Sequence, residues 1–322
     1  MSLGNEIIQK ICGLYSIDKG SITPINEYGE LFECTKQGQQ YILRITDYKT
    51  FEEQYAEAEF INYLYENGVG VANVIPSESG NLVEKIENDG QETYAVLFAK
   101  AKGHHATSEE WNSELIEKCG QIIGKMHILT KKYNNPSKAA IINWYEHDEV
   151  NYIKHIPAKH KLIIEKCTAL FNEIKALPKN SDTYGLLHSD MWQENFFTDG
   201  DMITLIDFQD CEYNYFINDL AIMIYVSIEN SFNGSDIKSY SMEFINALLK
   251  GYSKECKIDP FWIEKIPLFL KLKEMQSFIM FYCYWDVEQF DEDRKARLNM
   301  YRKNIEFDIP VLDIDFKSFC HL

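Results

Sequence analysis

In LLHSDMWQENFF (residues 186–197) an apolar run is broken by His188, Ser189 and Asp190, and by Asn195 five residues past that aspartate, before it resumes. A second apolar stretch, ITLIDF (203–208), ends in Asp207 and Phe208. An aspartate and an asparagine on one loop, with another aspartate at a neighbouring strand end, are the groups needed to move the γ-phosphoryl of ATP to a hydroxyl. One carboxylate orients the hydroxyl and accepts its proton, hard oxygen atoms hold Mg2+, and a cation elsewhere steadies the α- and β-phosphates. The spacing lets Asp190, Asn195 and Asp207 face a single cleft. Between the two stretches TDGD (198–201) supplies a turn, Asp199-Gly200 being a hairpin signal.

The chain of 322 residues, 45% hydrophobic, is long enough for two lobes with real cores to hold these groups. EIIQKICGLY (6–15) has helical apolar spacing, and residues 21–46 read as a hairpin about KQGQ. FEEQYAEAEFINYLYENG (51–68) reads as a helix with Phe60, Ile61 and Leu64 on its apolar face and Gly68 as end cap. VANVIPSESG, NLVEKI and ETYAVLFA follow as strands and turns. Past Gly103 helical spacing dominates, at 108–129, 159–177, 236–252 and 260–285. The expected architecture is α+β: a small strand-rich nucleotide-binding lobe, residues 1–99, joined through about 98–103 to a larger, mainly helical catalytic and substrate-binding lobe, residues 100–322.

The pattern H-x-D-x-x-x-x-N followed by Asp-Phe is that of protein kinases. The longer run LLHSDMWQENFF…ITLIDFQDCEYNYFINDLA resembles the aminoglycoside phosphotransferase family, whose superfamily also holds choline, homoserine, fructosamine and hydroxylysine kinases. The resemblance covers most of the chain and implies a two-lobed, protein-kinase-like fold with ATP and Mg2+ as requirements. It implies that Asp190 is the catalytic base, that Asn195 and Asp207 ligate the metal, that Asp219 holds the catalytic loop through its backbone, and that His188 supports the loop. INEYGELFEC resembles the phosphate-covering turn, with Tyr28 and Gly29 at its tip. YILRI puts Arg44 where kinases carry the phosphate-binding lysine, paired with Glu57, while Glu53 and Glu59 compete for that pairing. Phe98 and Ala99 would form the hinge that offers backbone hydrogen bonds to adenine. Gln209 stands where protein kinases have glycine, and NDLA follows directly with no long activation loop. Both departures favour a small-molecule kinase.

The acceptor is harder to read. WYEHDE (144–149) and FYCYWDVEQFDED (281–293) interleave aromatic and acidic residues, which could hold an ammonium group through cation–π contacts and carboxylates or could be ordinary packing. On that basis Trp144, Tyr282, Trp285 and Asp286, with Asp210 and Glu212 beyond the metal aspartate, are the acceptor candidates. The net charge of −18 argues against nucleic acid as a partner. Residues 1–98 carry 16 acidic and 6 basic side chains, so the acidity does not concentrate near the expected acceptor. Eight cysteines without C-x-x-C pairs, an N-terminus unlike a secretion signal and no membrane-length apolar run suggest a cytoplasmic protein with no membrane partner. The expected reaction is phosphorylation of a small hydroxyl metabolite, cationic or neutral: an amino alcohol, hydroxy-amino acid or sugar. An aminoglycoside-resistance kinase and a nucleotide-binding regulatory protein without catalysis are the alternatives.

Overall fold

A computed structural model describes residues 5–25, 30–88, 91–147, 152–230 and 236–321. Its helices in chain order are α1 (Asn5–Tyr15), α2 (Phe51–Glu66), α3 (Ser113–Thr130), α4 (Lys161–Lys175), α5 (Ile217–Asn230), α6 (Ile237–Ser253), α7 (Pro260–Ile263), α8 (Ile266–Tyr284) and α9 (Glu292–Glu306). The strands are β1 (Thr23–Pro24), β2 (Leu31–Lys36), β3 (Gln39–Thr46), β4 (Val74–Ile75), β5 (Glu84–Asn88), β6 (Gln91–Ala99), β7 (His104–His105), β8 (Tyr184–Leu187), β9 (Phe196–Asp199), β10 (Met202–Leu205) and β11 (Glu212–Tyr215). The chain forms two compact units. One is Met1–His105 with Tyr133–Ile141 and Phe196–Gln209; the other is Ala106–Lys132 with Ile142–Asn195 and Asp210–Leu322. Asp207 therefore belongs to the first unit, and Asp190 and Asn195 to the second.

In the first unit an antiparallel sheet runs β1-β2-β3-β6-β4, with β5 also on β6. The β2–β3 hairpin closes at Lys36↔Gln39 through Gln37 and Gly38, both at positive φ, as the tight primed turns demand. Alternate residues of β3 and β6, Leu43, Ile45, Ala95 and Leu97, point into a core shared with Ile11 and Tyr15 of α1. α2 starts from a capping box in which Thr50 and Glu53 bond each other's backbone N–H. The rings of Phe60 and Tyr63 on this helix pack on Tyr133, which explains why 133–141 clusters here. The β9–β10 hairpin is held by Leu205, whose N–H donates to the Gly70 carbonyl (2.8 Å) and whose carbonyl accepts from Ala72 N–H (3.0 Å). At Gly103, φ is +83° and any Cβ would strike the Thr198 carbonyl, so the chain passes β9 only as glycine.

In the second unit α3 and α6 cross at backbone contact. A Cβ on Gly251 would collide with the Glu117 carbonyl, and one on Gly120 with the Leu248 carbonyl. β8 and β11 form a two-stranded antiparallel sheet with Leu187 opposite Glu212. The two strands that flank the 188–195 loop thus belong to different sheets. The apolar stretch 260–285 is two helices, α7 and α8, each with proline in its first turn. Two further helices escape the sequence reading. α5 is buried almost all round and so carries no stripe of contrast; α9 is polar almost all round, burying only Tyr301 and Ile305.

Candidate active site

In the first unit Arg44, on β3, and Glu57, on α2, form a two-pronged ion pair: Nη1–Oε1 2.8 Å and Nη2–Oε2 2.9 Å. Their exposures are 4% and 1%, so the pair is desolvated and its geometry is fixed. Burial works against the charged guanidinium, but Glu57, then Tyr48 and Asp207, outweigh it and hold Arg44 above its ordinary value. Glu53 is occupied at the helix cap, and the two Arg44 bonds settle the pairing on Glu57 over both Glu53 and Glu59. Arg44 also lies 5.1 Å from the centre of the Phe98 ring, and among the described residues its Nε meets no hydrogen-bond partner.

This pair lines a largely apolar cavity of about 380 Å³ whose walls include Leu31, Ile42, Ile61 and Phe98, with Asp207 also in its lining. Its size and apolar lining suit a planar base, and its charged residues suit phosphates and a cation. Phe98 and Ala99 line it, but the hinge expectation needs correction. β6 lies between β3 and β4 at this point, and the Ala99 N–H donates to the Asn73 carbonyl (2.9 Å). That N–H is not available to a base, and the backbone that follows the strand, at Lys100 and Ala101, lines the same cavity. Tyr28 and Gly29 lie outside the described residues. Asp207 adopts φ +62°, a conformation strained for a non-glycine residue. It is steadied on both sides: Phe208 packs edge-on against Phe60 of α2, and the Gln209 carbonyl accepts from Lys49 Nζ.

In the second unit the loop after β8 is built around a buried carboxylate. Asp219, on α5, is fully buried and accepts from Ser189 N–H (2.9 Å) and, at longer range, His188 N–H (3.4 Å). Its second oxygen meets His127 Nε2 (3.0 Å), whose Nδ1 meets the Tyr252 hydroxyl (2.8 Å). Burial first, then Cys256 and Asp219, pushes the Tyr252 phenol well up, so it stays protonated. Ser189 sits at φ +65° and His188 Nδ1 accepts from Asp190 N–H (3.3 Å). Asn195 Nδ2 donates to both the carboxylate and the carbonyl of Asp190, at 2.9 and 2.8 Å. The amide nitrogen is thereby committed, and Oδ1 is the atom of Asn195 with the chemistry to ligate a hard cation. Among the described residues no group of three or more His, Cys, Asp or Glu could hold a metal ion. A kinase cation needs no such cluster, because one or two protein oxygens and the substrate phosphates suffice.

The acceptor candidates scatter. Trp144 is 1% exposed and packs edge-on against Phe171 and Tyr145, so it is a core residue rather than a ligand contact. Glu212 is also buried. It accepts from Ser189 Oγ (3.1 Å) and Asn214 Nδ2 (2.8 Å) and pairs with His147, which makes it scaffold for the loop. Asp210 is exposed. Tyr282 bonds His160 (3.2 Å), Trp285 packs edge-on against Phe281 and Tyr284, and Asp286 caps the turn at Val287–Gln289. None of these lines the cavity beside the catalytic loop, which Trp111, Trp192, Gln193 and Tyr240 do line. Trp192 and Gln193 stood inside the catalytic motif; Trp111 and Tyr240 carried no sequence signal.

A family model described as the phosphotransferase enzyme family, APH, matches residues 22–259. The chain is similar to the amicoumacin kinase of Bacillus subtilis (strain 168), 33% identical over 294 residues that cover 89% of this chain and 87% of that protein. It is similar to the solved structure of amicoumacin kinase hAmiN in complex with AMP-PNP, Ca2+ and Ami, with TM-score 0.92 and 29% identity, covering 97% and 96% of the two chains. The structure of the microcompartment-associated aminopropanol kinase shares the fold, with TM-score 0.75 and 18% identity over 94% and 95%. The fold is α+β, two-lobed and protein-kinase-like.

Proposed function

We propose that this chain, which belongs to the phosphotransferase enzyme family and phosphorylates a hydroxyl of a small molecule, takes ATP as donor and an amicoumacin-type antibiotic as acceptor. The observation that carries the acceptor is the 33% identity to an amicoumacin kinase across nearly the whole chain. This reading displaces the metabolite expectation, since the aminopropanol kinase likeness extends to the fold alone. That no helix among the described residues is long and apolar enough to cross a membrane, and that no disulfide joins the eight cysteines, fits a cytoplasmic enzyme supplied with ATP.

In this reading Asp190 orients the acceptor hydroxyl and takes its proton. Asn195 fixes the Asp190 carboxylate through Nδ2 and offers Oδ1, with the Asp207 carboxylate, to a divalent cation, for which we propose Mg2+. The residues fit it, being hard oxygen donors. When bound, the cation would neutralise charge on the phosphates. Arg44, held rigid by Glu57, directs its guanidinium at phosphate oxygens; Phe98, Ala99 and the backbone beyond them contact the base. Tyr28 and Gly29 would cover the phosphates.

The test is ADP release by the purified protein with ATP and Mg2+, using amicoumacin, a set of aminoglycosides and 1-amino-2-propanol as acceptors, with Asp190→Asn as control. Turnover on amicoumacin that falls by about 10²–10⁴ in the control is the expected result. Turnover on another acceptor alone would replace the antibiotic reading. Unchanged turnover in Asp190→Asn would remove that residue from the mechanism.

A further inference from the structure

We infer that Lys49 is a positioning residue for Asp207: it ties the backbone just past this aspartate to the start of α2 and so sets how tightly the divalent cation is held, an inference that rests on the kinase reading above. The tie lies wholly within the first unit. Its fixed end is the N-terminus of α2. The Lys49 carbonyl accepts from Nε2 of Gln54 (3.2 Å), a side chain with no exposure. Thr50, the next residue, belongs to the capping box, and its carbonyl accepts from the Gln54 N–H (3.1 Å). The backbone here is held by the helix, and the Lys49 side chain alone reaches out from it. Its ammonium donates to the Gln209 carbonyl, 160 residues along the chain.

That carbonyl is where the charge of Lys49 is spent. Among the described residues Lys49 meets no carboxylate, and the centre of the Tyr48 ring is 5.9 Å away, at the outer limit of a cation–π contact. Holding a lysine in one geometry costs rotamer freedom, which a charged hydrogen bond offsets. Asp207 is the residue with need of the tie, since a φ of +62° persists only where the surroundings over-determine it. Phe60 fixes the ring of Phe208; Lys49 fixes the peptide that follows. The same helix carries Glu57, so α2 places Arg44 and Asp207 together. In protein kinases a phosphorylated activation loop and the helix that bears the glutamate control these two features. Here no long activation loop follows Gln209, and the lysine is a permanent tie. Its charge acts against a direct role, because an ammonium repels a nearby cation. Any gain in cation binding from Lys49 must therefore come through the placement of Asp207.

Calorimetric titration of the whole protein with AMP-PNP, once in EDTA and once in Mg2+, tests this without turnover. In the wild type Mg2+ should tighten AMP-PNP binding. Lys49→Met should cut that gain about ten-fold, the effect of losing one charged hydrogen bond. Its affinity in EDTA should stay at the wild-type value, because Arg44 and Glu57 remain paired, and this also shows that the variant folds. Lys49→Arg keeps a charged donor and should retain most of the gain. A gain in Lys49→Met equal to that of the wild type would overturn the inference. So would a larger one, which would mean that Lys49 acts on the cation by repulsion. An equal loss of affinity in EDTA would overturn it too, by making Lys49 part of the nucleotide grip or of the general scaffold. The two readings fail separately. No Mg2+ gain in the wild type would remove Asp207 as a cation ligand and the role of Lys49 with it. A gain that depends on Lys49, without transfer to any hydroxyl, would uphold the tie and sink the kinase reading.

Discussion

Asp219 carries the backbone of Ser189: a carboxylate with no exposure accepts the N–H of the residue next to the proposed base at 2.9 Å. Ser189 itself is at φ +65°, so the hydrogen bond holds a conformation that the chain would not choose unaided. Asp219→Ala orphans the Ser189 N–H and the Nε2 of the buried His127. It should lower stability by about 3 kcal/mol in urea unfolding. The turnover number should fall further than the folded fraction, while the KM for ATP stays near wild type.

Arg44→Ala should leave Glu57 buried without its partner, at a loss of about 3–5 kcal/mol. Arg44→Lys keeps one charge but not the fork, and should raise the KM for ATP roughly ten-fold. The double change Arg44→Met with Glu57→Leu separates the two roles. Denaturant unfolding should show stability restored toward wild type, because the burial penalty of two ions is gone, while ATP binding stays weak. Strong ATP binding by this double variant would remove Arg44 from the nucleotide site.

Asn195→Ala removes both hydrogen bonds that fix Asp190, together with an oxygen proposed for the cation. Initial rates across a Mg2+ titration should show a turnover number reduced by about 10² or more and a half-saturating Mg2+ concentration shifted upward. An unaltered Mg2+ dependence would confine Asn195 to positioning Asp190.

Gly251→Ala should be among the most damaging single-methyl changes in the chain, because its Cβ meets the Glu117 backbone where α3 and α6 cross. Rigid backbone cannot retreat as a side chain can. The expected loss is about 3 kcal/mol, read as a fall in melting temperature. Gly13→Ala, where nothing lies within reach of the added methyl, is the matched control and should change stability little.

Glu274 on α8 is 2% exposed, and burial raises its carboxyl above the ordinary value despite Lys271 and Asn304. A carboxyl raised by folding stabilises the native state fully below its unfolded value of about 4.3, and that contribution is lost as pH rises through the folded value. Glu274→Gln keeps a neutral hydrogen-bonding group, and Lys271 retains the Asn304 and Ile309 carbonyls. The variant should therefore gain on the wild type as pH rises from about 4 to 8 in paired urea titrations. A pH-independent difference would mean that Glu274 titrates alike in both states.

Local chemistry was legible in the sequence wherever short-range physics decides. The Asp199-Gly200 turn, the Gln37-Gly38 hairpin, the glycine at positive φ that ends α2 (Gly68, just past the C-cap Asn67) and the Asp190–Asn195 spacing all follow from neighbours a few residues apart, and the structure has each in place. Glu57 was legible only as one of three glutamates, since helical phase by eye does not say which one faces β3. Tertiary structure decided the rest. α5 is covered on every side, so no apolar stripe announced it. Trp144 and Glu212 looked like ligand contacts because aromatic and acidic residues have the same composition in a pocket as in a core; burial and their committed partners separate the two. Ala99 lost its N–H to Asn73 through strand pairing that no local pattern encodes. The reacting groups were written in the sequence because chemistry fixes their types. Which side chains surround them is set by long-range packing, and Trp111 and Tyr240 meet at one cavity through the fold alone.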